Sequence, residues 1–546
     1  MLQSIQKLRY ILSILLFLWV SVAFAGELDP SFGVDGRVSL EFGSHGDRAL
    51  SILLDSQGRI VLGGSSLEDD SLACSLIRLL PDGQPDPEWA GEGTVILDLS
   101  TGDDEILALA QAPDGDIIAG GYVVNNLDRD FLLLRFHPDG TLDEEFGDLG
   151  RMIMPIGNSD DEITAVQVLD DGRILVAGNT AGTGGRVLVL ARYNPDGRLD
   201  ASFADGGISL TGIGEDALTQ GMIVDSGGRI LISGSYSDGQ ATRVMLVAFT
   251  EYGDIDTSFG QGGVATMSAA DATVSEGYGV FIGDDAILYV AGSVGREGER
   301  DAALFAFTAA GEAWTEFGNQ GVLVTVVGPE DDVLYSLVGN EQGLYASGFT
   351  TDEERRAFLL ISYEYPVKTS APVVDLPAGK SASLHIGGLH MEKSMQEYVS
   401  EPVDKTALSP SVATTEFNGD DAVSYGLAMQ KDGKVISVGA AGDAESTSAV
   451  VARYVLTKSA VVKSAPASAV DDSIFITTLP ITDIKATGAL TGGTISTALG
   501  AVSQRGVVFS IAPFPVCKDK CLDGVTPPTD GDETDDTDNG GDDNNT

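Results

Sequence analysis

Cysteine and histidine are scarce in this chain: 546 residues hold three Cys and four His. No Cys-x-x-Cys-His run occurs, so haem, zinc-cluster and iron–sulfur chemistry lack their ligands. Basic residues are few as well, 32 Lys+Arg against 82 Asp+Glu, for a formal net charge of −50. So acidic a chain argues against DNA, RNA or anionic lipid as its main partner, because phosphates are met by basic surface. The usual catalytic signatures are missing: no Gly-x-x-x-x-Gly-Lys-Ser/Thr, no His-Glu-x-x-His, and no Gly-x-Ser-x-Gly placed as strand, elbow and helix. Long glycine-free stretches with a helical period are absent from the repeats described below, which excludes an α-rich fold there.

Apolar content, by contrast, is ample. Hydrophobic residues make up 43% of the chain, enough for a sizeable core and too many for a wholly disordered chain. Glycine is abundant: 68 residues, about one in eight against a usual ~7%. No Gly-X-Y period accompanies it, so collagen is excluded and frequent turns are expected.

Residues 1–25 read as a secretory signal. Lys7 and Arg9 precede an apolar run from Ile11 to Val22, and Ala23-Phe24-Ala25 forms a small-x-small cleavage site. The run is short for a bilayer span of ~20 residues. An exported, acidic mature chain starting near Gly26 is the expectation, secreted or periplasmic, with no integral membrane segment after cleavage.

The main signal is an internal repeat. Phe32, Trp89, Phe146, Phe203, Phe259 and Phe317 each precede Gly or Ala, at steps of 57, 57, 57, 56 and 58 residues. Each unit carries four short apolar runs separated by turn chemistry. The first unit has Gly36 to Leu40, Ala49 to Leu54 and Ile60 to Gly64; the second has Phe131 to Phe136 as its last run. Asp-Gly pairs such as Asp114-Gly115 and Asp171-Gly172 sit between runs, and Pro-Asp-Gly closes units at Pro81, Pro138 and Pro195. Runs of this length bounded by Asp-Gly read as strands joined by hairpins. Four antiparallel strands per repeat cannot bury both faces alone, and stacking such sheets around an axis does bury them. The predicted fold is therefore all-β: a seven-bladed β-propeller of four-stranded antiparallel blades. Six blades fall in 26–366, and the seventh in 410–457 after an insertion at 367–409. In that last unit Val412 to Phe417 is expected as the first strand. The recurring aromatics are expected to pack between neighbouring blades.

The run Leu28-Asp29-Pro30-Ser31-Phe32-Gly33, with Pro-Asp-Gly-x-Leu-Asp at Pro138 to Asp143 and Pro195 to Asp200, resembles the delta-60 repeat family of bacterial propeller proteins. That resemblance covers about 28–366 strongly and 410–457 weakly. It implies a β-propeller and no particular reaction.

Beyond a linker at 458–473, residues 474–521 resemble part of a bacterial fibronectin type III-like module, on Gly492-Gly493-Thr494-Ile495 and Arg505-Gly506-Val507. A partial β-sandwich-like segment follows from that resemblance. Cys517 and Cys521, close together in an exported chain, are expected to form a local disulfide. Cys74 lies within an apolar run and reads as a buried small hydrophobe. Residues 522–546 are acidic and low in complexity, and are expected to be disordered.

No catalytic, cofactor or metal set stands out. Asp82, Asp114, Asp139, Asp171, Asp196 and Asp432 all precede Gly and are explained by turns. Asp29, Asp86, Asp143, Asp200 and Asp256 are expected to bond the local backbone as Asx turns. Calcium is the one cofactor weighed, for those closing aspartates or for Asp530 to Asp538 in the tail; His385 and His390 form the closest His pair. A binding or scaffolding protein with a protein or surface-glycan partner is the first functional expectation. Its specificity would sit in variable loops such as Glu68-Asp69-Asp70, Asn125 to Asp128, Thr180 to Gly185 and Arg296 to Arg300. A polysaccharide-acting enzyme is the second, and calls for a few acids and an Arg converging at the propeller mouth. A self-associating surface component is the third.

Overall fold

A computed structural model describes residues 26–364 and 408–456 apart from short loop tips, and otherwise only strands within 382–393 and 475–509. Residues 1–25, expected to be a secretory signal, the expected linker at 458–473, Cys517, Cys521 and residues 522–546 lie outside the described residues.

The described chain is all-β and carries seven four-stranded antiparallel arrays in its first unit. Their first strands are His45–Leu54, Asp104–Gln111, Asp161–Val168, Asp216–Val224, Val274–Ile282, Asp332–Asn340 and Ala422–Met429. Each pairs with a second strand and that with a third, in hairpin succession. First strands of consecutive sheets pack on one another, and Ala422–Met429 packs on His45–Leu54, so the series returns to its start. The fold is a β-propeller, with first strands innermost.

Sheet and sequence repeat are out of phase by one strand. The short outer strand of each sheet opens the next repeat: Thr94–Leu97 pairs with Ser71–Leu79, and Arg151–Met154 with Asp128–Phe136. Consequently Ser409–Thr415 is the outer strand of the sixth sheet, paired with Arg355–Glu364. It is not the first strand of the seventh, as the sequence reading has it. The error has a physical source: the opening run of a repeat bonds backwards, to the sheet already built. The seventh sheet takes its outer strand from the other end of the chain. Arg37–Leu40 pairs with Thr447–Val455, and Glu27–Leu28 pairs with the same strand.

Seven apolar clusters fill the seams between consecutive sheets. The anchors Phe32, Trp89, Phe146, Phe203, Phe259 and Phe317 are all buried there. Burying such a side chain contributes about 1.5–3 kcal/mol, and no face of these rings is left for a ligand. Cys74 is buried in the seam between the first two sheets, and burial pushes its thiol up.

Turn chemistry follows the sequence closely. Asp82, Asp114, Asp139, Asp171, Asp196 and Asp432 each accept the backbone N–H two residues on. The closing aspartates Asp29, Asp86, Asp143, Asp200 and Asp256 do the same.

Within the insertion, Ala382–Ile386 pairs with Leu389–Lys393 in a hairpin that sets His385 opposite His390. Among the described residues of the second unit, Val462–Thr546, there are four strands: Phe475–Thr478, Ile484–Lys485, Gly488–Thr497 and Gly500–Phe509. The third of these pairs with all the others.

Candidate functional site at the axial opening

One backbone irregularity builds the site. Every first strand bulges near its middle. Ile163 faces Gly178 and Ala165 faces Ala177, which leaves Thr164 without an opposite residue. The same break recurs in the other six sheets. Glycine on the second strand permits it. A Cβ on Gly64, Gly121, Gly178, Gly234, Gly292, Gly348 or Gly439 would stand 1.8–2.1 Å from a first-strand carbonyl oxygen. The apolar run ending in glycine is thus the sequence mark of the bulge.

The bulged residues are Leu50, Leu107, Thr164, Gln220, Tyr278, Tyr335 and Tyr425. All seven are half-buried, on the innermost strands, around the axis. The backbone position repeats while the residue type does not, and the three tyrosines fall on consecutive sheets. Tyr278 meets Tyr335 edge to face at 4.7 Å between ring centroids, and Tyr335 stacks on Tyr425 at 5.8 Å. Phe349 backs them 5.9 Å from Tyr335. With Val333 and Val423 they form an apolar cluster separate from the seam cores. Burial pushes the Tyr335 hydroxyl up to about 12 and raises those of Tyr278 and Tyr425.

Two residues before each bulge stand Arg48, Glu105, Glu162, Leu218, Glu276, Val333 and Val423. The charged members make a polar rim. Glu105 accepts from Ser65 Oγ at 2.7 Å and Tyr122 OH at 2.8 Å, and pairs with Arg48 at 2.7 Å. Arg129 lies over the Tyr122 ring at 4.1 Å and reaches Glu162 at 3.0 Å. Glu276 accepts from Tyr278 OH, Ser293 Oγ and Arg300 Nη1. Arg300 also holds Asp331 at 2.6 Å, and Arg356 clasps Asp421. The backbone N–H groups of Leu72, Arg129, Arg186, Arg300 and Arg356 donate to an aspartate of the following sheet, tying the seams at this end.

The hairpins singled out as variable loops join second to third strands and lie at this same end, where the first strands begin. Arg300 comes from one of them. The rest of the site went unseen in the sequence: the tyrosines lack a repeated identity, and the insertion sets Tyr425 90 residues after Tyr335.

At the opposite end, the closing aspartates face arginines. Arg453 pairs with Asp29, Arg78 with Asp86, Arg135 with Asp143 and Arg192 with Asp200. Arg78, Arg192 and Arg453 also lie over the anchor rings of Trp89, Phe203 and Phe32. Asp116, His137 and Asp143 stand close enough to share a cation. Arg135 sits between their carboxylates, 2.8 Å from Asp116 and 3.2 Å from Asp143, and supplies the positive charge itself.

Residues 56–88, 112–146 and 169–203 match a family described as "Domain of unknown function (DUF5122) beta-propeller". Each segment starts at the turn before a second strand and ends at the next anchor aromatic or, in the first, one residue before it. These are β-propeller repeats. No curated protein matches the chain. Among solved structures, polysaccharide lyase Uly1 is similar at 11% identity and a TM-score of 0.41, over 76% of this chain and 90% of its own. Sqt1 from Chaetomium thermophilum has 12% identity and a TM-score of 0.39, over 84% and 98%. A protein of unknown function from Dyadobacter fermentans has 11% identity and a TM-score of 0.37, over 78% and 99%. Identity at this level leaves no side chain to carry across.

Proposed function

We propose that this chain is an exported, seven-bladed binding and scaffolding protein whose ligand seats at the axial opening, on the shelf of Tyr278, Tyr335 and Tyr425. The observation that carries the reading is broken symmetry. Anchors, turns and closing aspartates repeat around the ring, as stability requires, whereas the bulge position changes type and gathers three aromatics on one arc. Partly exposed aromatics beside hydrogen-bonding groups are the usual lining of a binding site. Export rests on the pattern of residues 1–25, and no helix among the described residues is long and apolar enough to cross a membrane.

An enzyme acting on a polysaccharide at this mouth is the second reading. Two glutamate–arginine pairs at this end, Glu105 with Arg48 and Glu276 with Arg300, favour it. Each of these glutamates already accepts from two side-chain hydroxyls and an arginine, as members of a structural ion-pair network also do. A comparison of wild type with Tyr335→Ala/Tyr425→Ala for retention of cell-envelope or culture-fluid material decides the first reading. Retention lost in a variant of unchanged melting temperature supports it, and equal retention by both proteins sinks it. Turnover of any glycan that Glu276→Gln abolishes would move the assignment to the enzyme.

A further inference from the structure

The axial shelf has a chemistry narrower than "ligand". We infer that it takes an uncharged oligosaccharide or polysaccharide and rejects polyanionic glycans. This rests on the axial reading above and adds the class of ligand.

Two observations converge. The first is the shelf itself: three tyrosines on the first strands of consecutive sheets, partly exposed, Tyr278 edge-on to Tyr335 and Tyr335 stacked on Tyr425, with Phe349 and two valines behind them. Such a surface suits a flat partner with a C–H face, and the aliphatic face of a pyranose ring is one. Tyrosine also offers a polar tip to a wet, hydroxylated ligand.

The second is the state of the guanidinium groups. Arginine would be the natural grip for a carboxylate or sulfate, through its two-pronged fork. Three of these forks are taken at two prongs, and Arg48 and Arg129 are each held by one glutamate. Arg186 gives Nε and Nη2 to Asp216, Arg300 divides Nη1 and Nη2 between Glu276 and Asp331, and Arg356 gives Nε and Nη2 to Asp421. Within the ion-pair network of this rim acids outnumber bases: Asp103, Glu105, Asp160, Glu162, Asp216, Glu276, Asp331 and Asp421 stand with Arg48, Arg129, Arg186, Arg300 and Arg356. An approaching polyanion would meet an excess of its own sign, on a chain whose total is −50. An uncharged glycan meets no such penalty, and its hydroxyls can donate to carboxylate lone pairs.

The test uses the full mature chain and two soluble panels: neutral glucans, mannans and xylans, and polyuronates with sulfated glycans. Wild type, Tyr335→Ala and Tyr335→Phe are compared by affinity electrophoresis and calorimetry. At least one neutral glycan is expected to bind, about tenfold more weakly in Tyr335→Ala, as loss of an aromatic contact predicts, and within about threefold of wild type in Tyr335→Phe. That binding should be indifferent to salt. Binding confined to the anionic panel, or weakened by added salt, overturns the inference. Binding to no glycan overturns it too, and leaves the axial reading to stand or fall on tyrosine-dependent retention of envelope material. Neutral-glycan binding unaltered by Tyr335→Ala places the contact elsewhere and overturns both.

Discussion

Arg192 touches three partners at once: the Asp200 carboxylate at 2.8 Å, the Glu251 carbonyl at 2.8 Å and the face of Phe203 at 4.4 Å. It thereby joins one repeat's closing turn to its anchor aromatic and to the next repeat. Arg78 does the same around Trp89, with both partners of its ion pair nearly sealed from water. Removing one member of such a pair leaves a buried charge. Arg78→Ala is therefore expected to cost about 3–5 kcal/mol, read as a fall in denaturation midpoint, and Arg78→Lys to recover only part of it. The Asp200 carboxyl is held down to about 2 by Ser202 and Arg192, against its burial. Its folded value lies below the unfolded one of about 4. The associated stability is present above that value and is lost as pH falls from about 4 toward 2. The melting-temperature gap between wild type and Asp200→Asn should accordingly be widest at neutral pH and narrow in acid. The aspartates and the anchor rings were legible in the sequence because they recur at nearly constant steps of 56 to 58 residues. The arginines were not, since the fourth and fifth repeats put Ala248 and Ala306 where Arg192 would recur.

Glycine on the second strand and the bulge on the first are one device seen from two strands. The carbonyl of Glu162 fills the space where a Cβ on Gly178 would stand, 2.1 Å away. Gly178→Ala must push the first strand out or flatten its bulge, and overpacking of this kind costs about 1–3 kcal/mol. Gly182→Ala, farther along the same strand, has no contact under 3.0 Å and should be milder. Paired chemical-denaturation curves of the two variants check the contrast. The strands, their hairpins and their stacking around an axis could all be read from run lengths and Asp-Gly turns. Which sheet a strand joins could not, because hydrogen bonding of the opening run, backwards or forwards, leaves the same apolar pattern. Nor was the tyrosine shelf read: the glycine that marks each bulge stands on the second strand, and which first-strand residue it displaces depends on the register between the two strands.

Closure of the ring depends on residues far apart in the chain. Arg37–Leu40 bonds to Thr447–Val455, and Arg453 donates to the Pro81 carbonyl as Arg78 does to Pro138. A chain lacking residues 26–41 should keep its strand content yet melt earlier and less cooperatively, because the seventh sheet loses its outer strand and Arg453 its Asp29 partner. Circular dichroism with calorimetry would detect this. Self-repulsion from a net charge of −50 acts on the whole ring. Moderate salt is expected to raise the melting temperature, by screening beyond about 10 Å, while short pairs such as Arg78–Asp86 stay in place. The borrowed strand has a further consequence during synthesis. The residues that finish the circle leave the ribosome among the first, and their binding edge among the last. Until some four hundred residues have followed, the early strand has nowhere to dock, so an interrupted translation product would display one unpaired edge at each end, open to any passing strand.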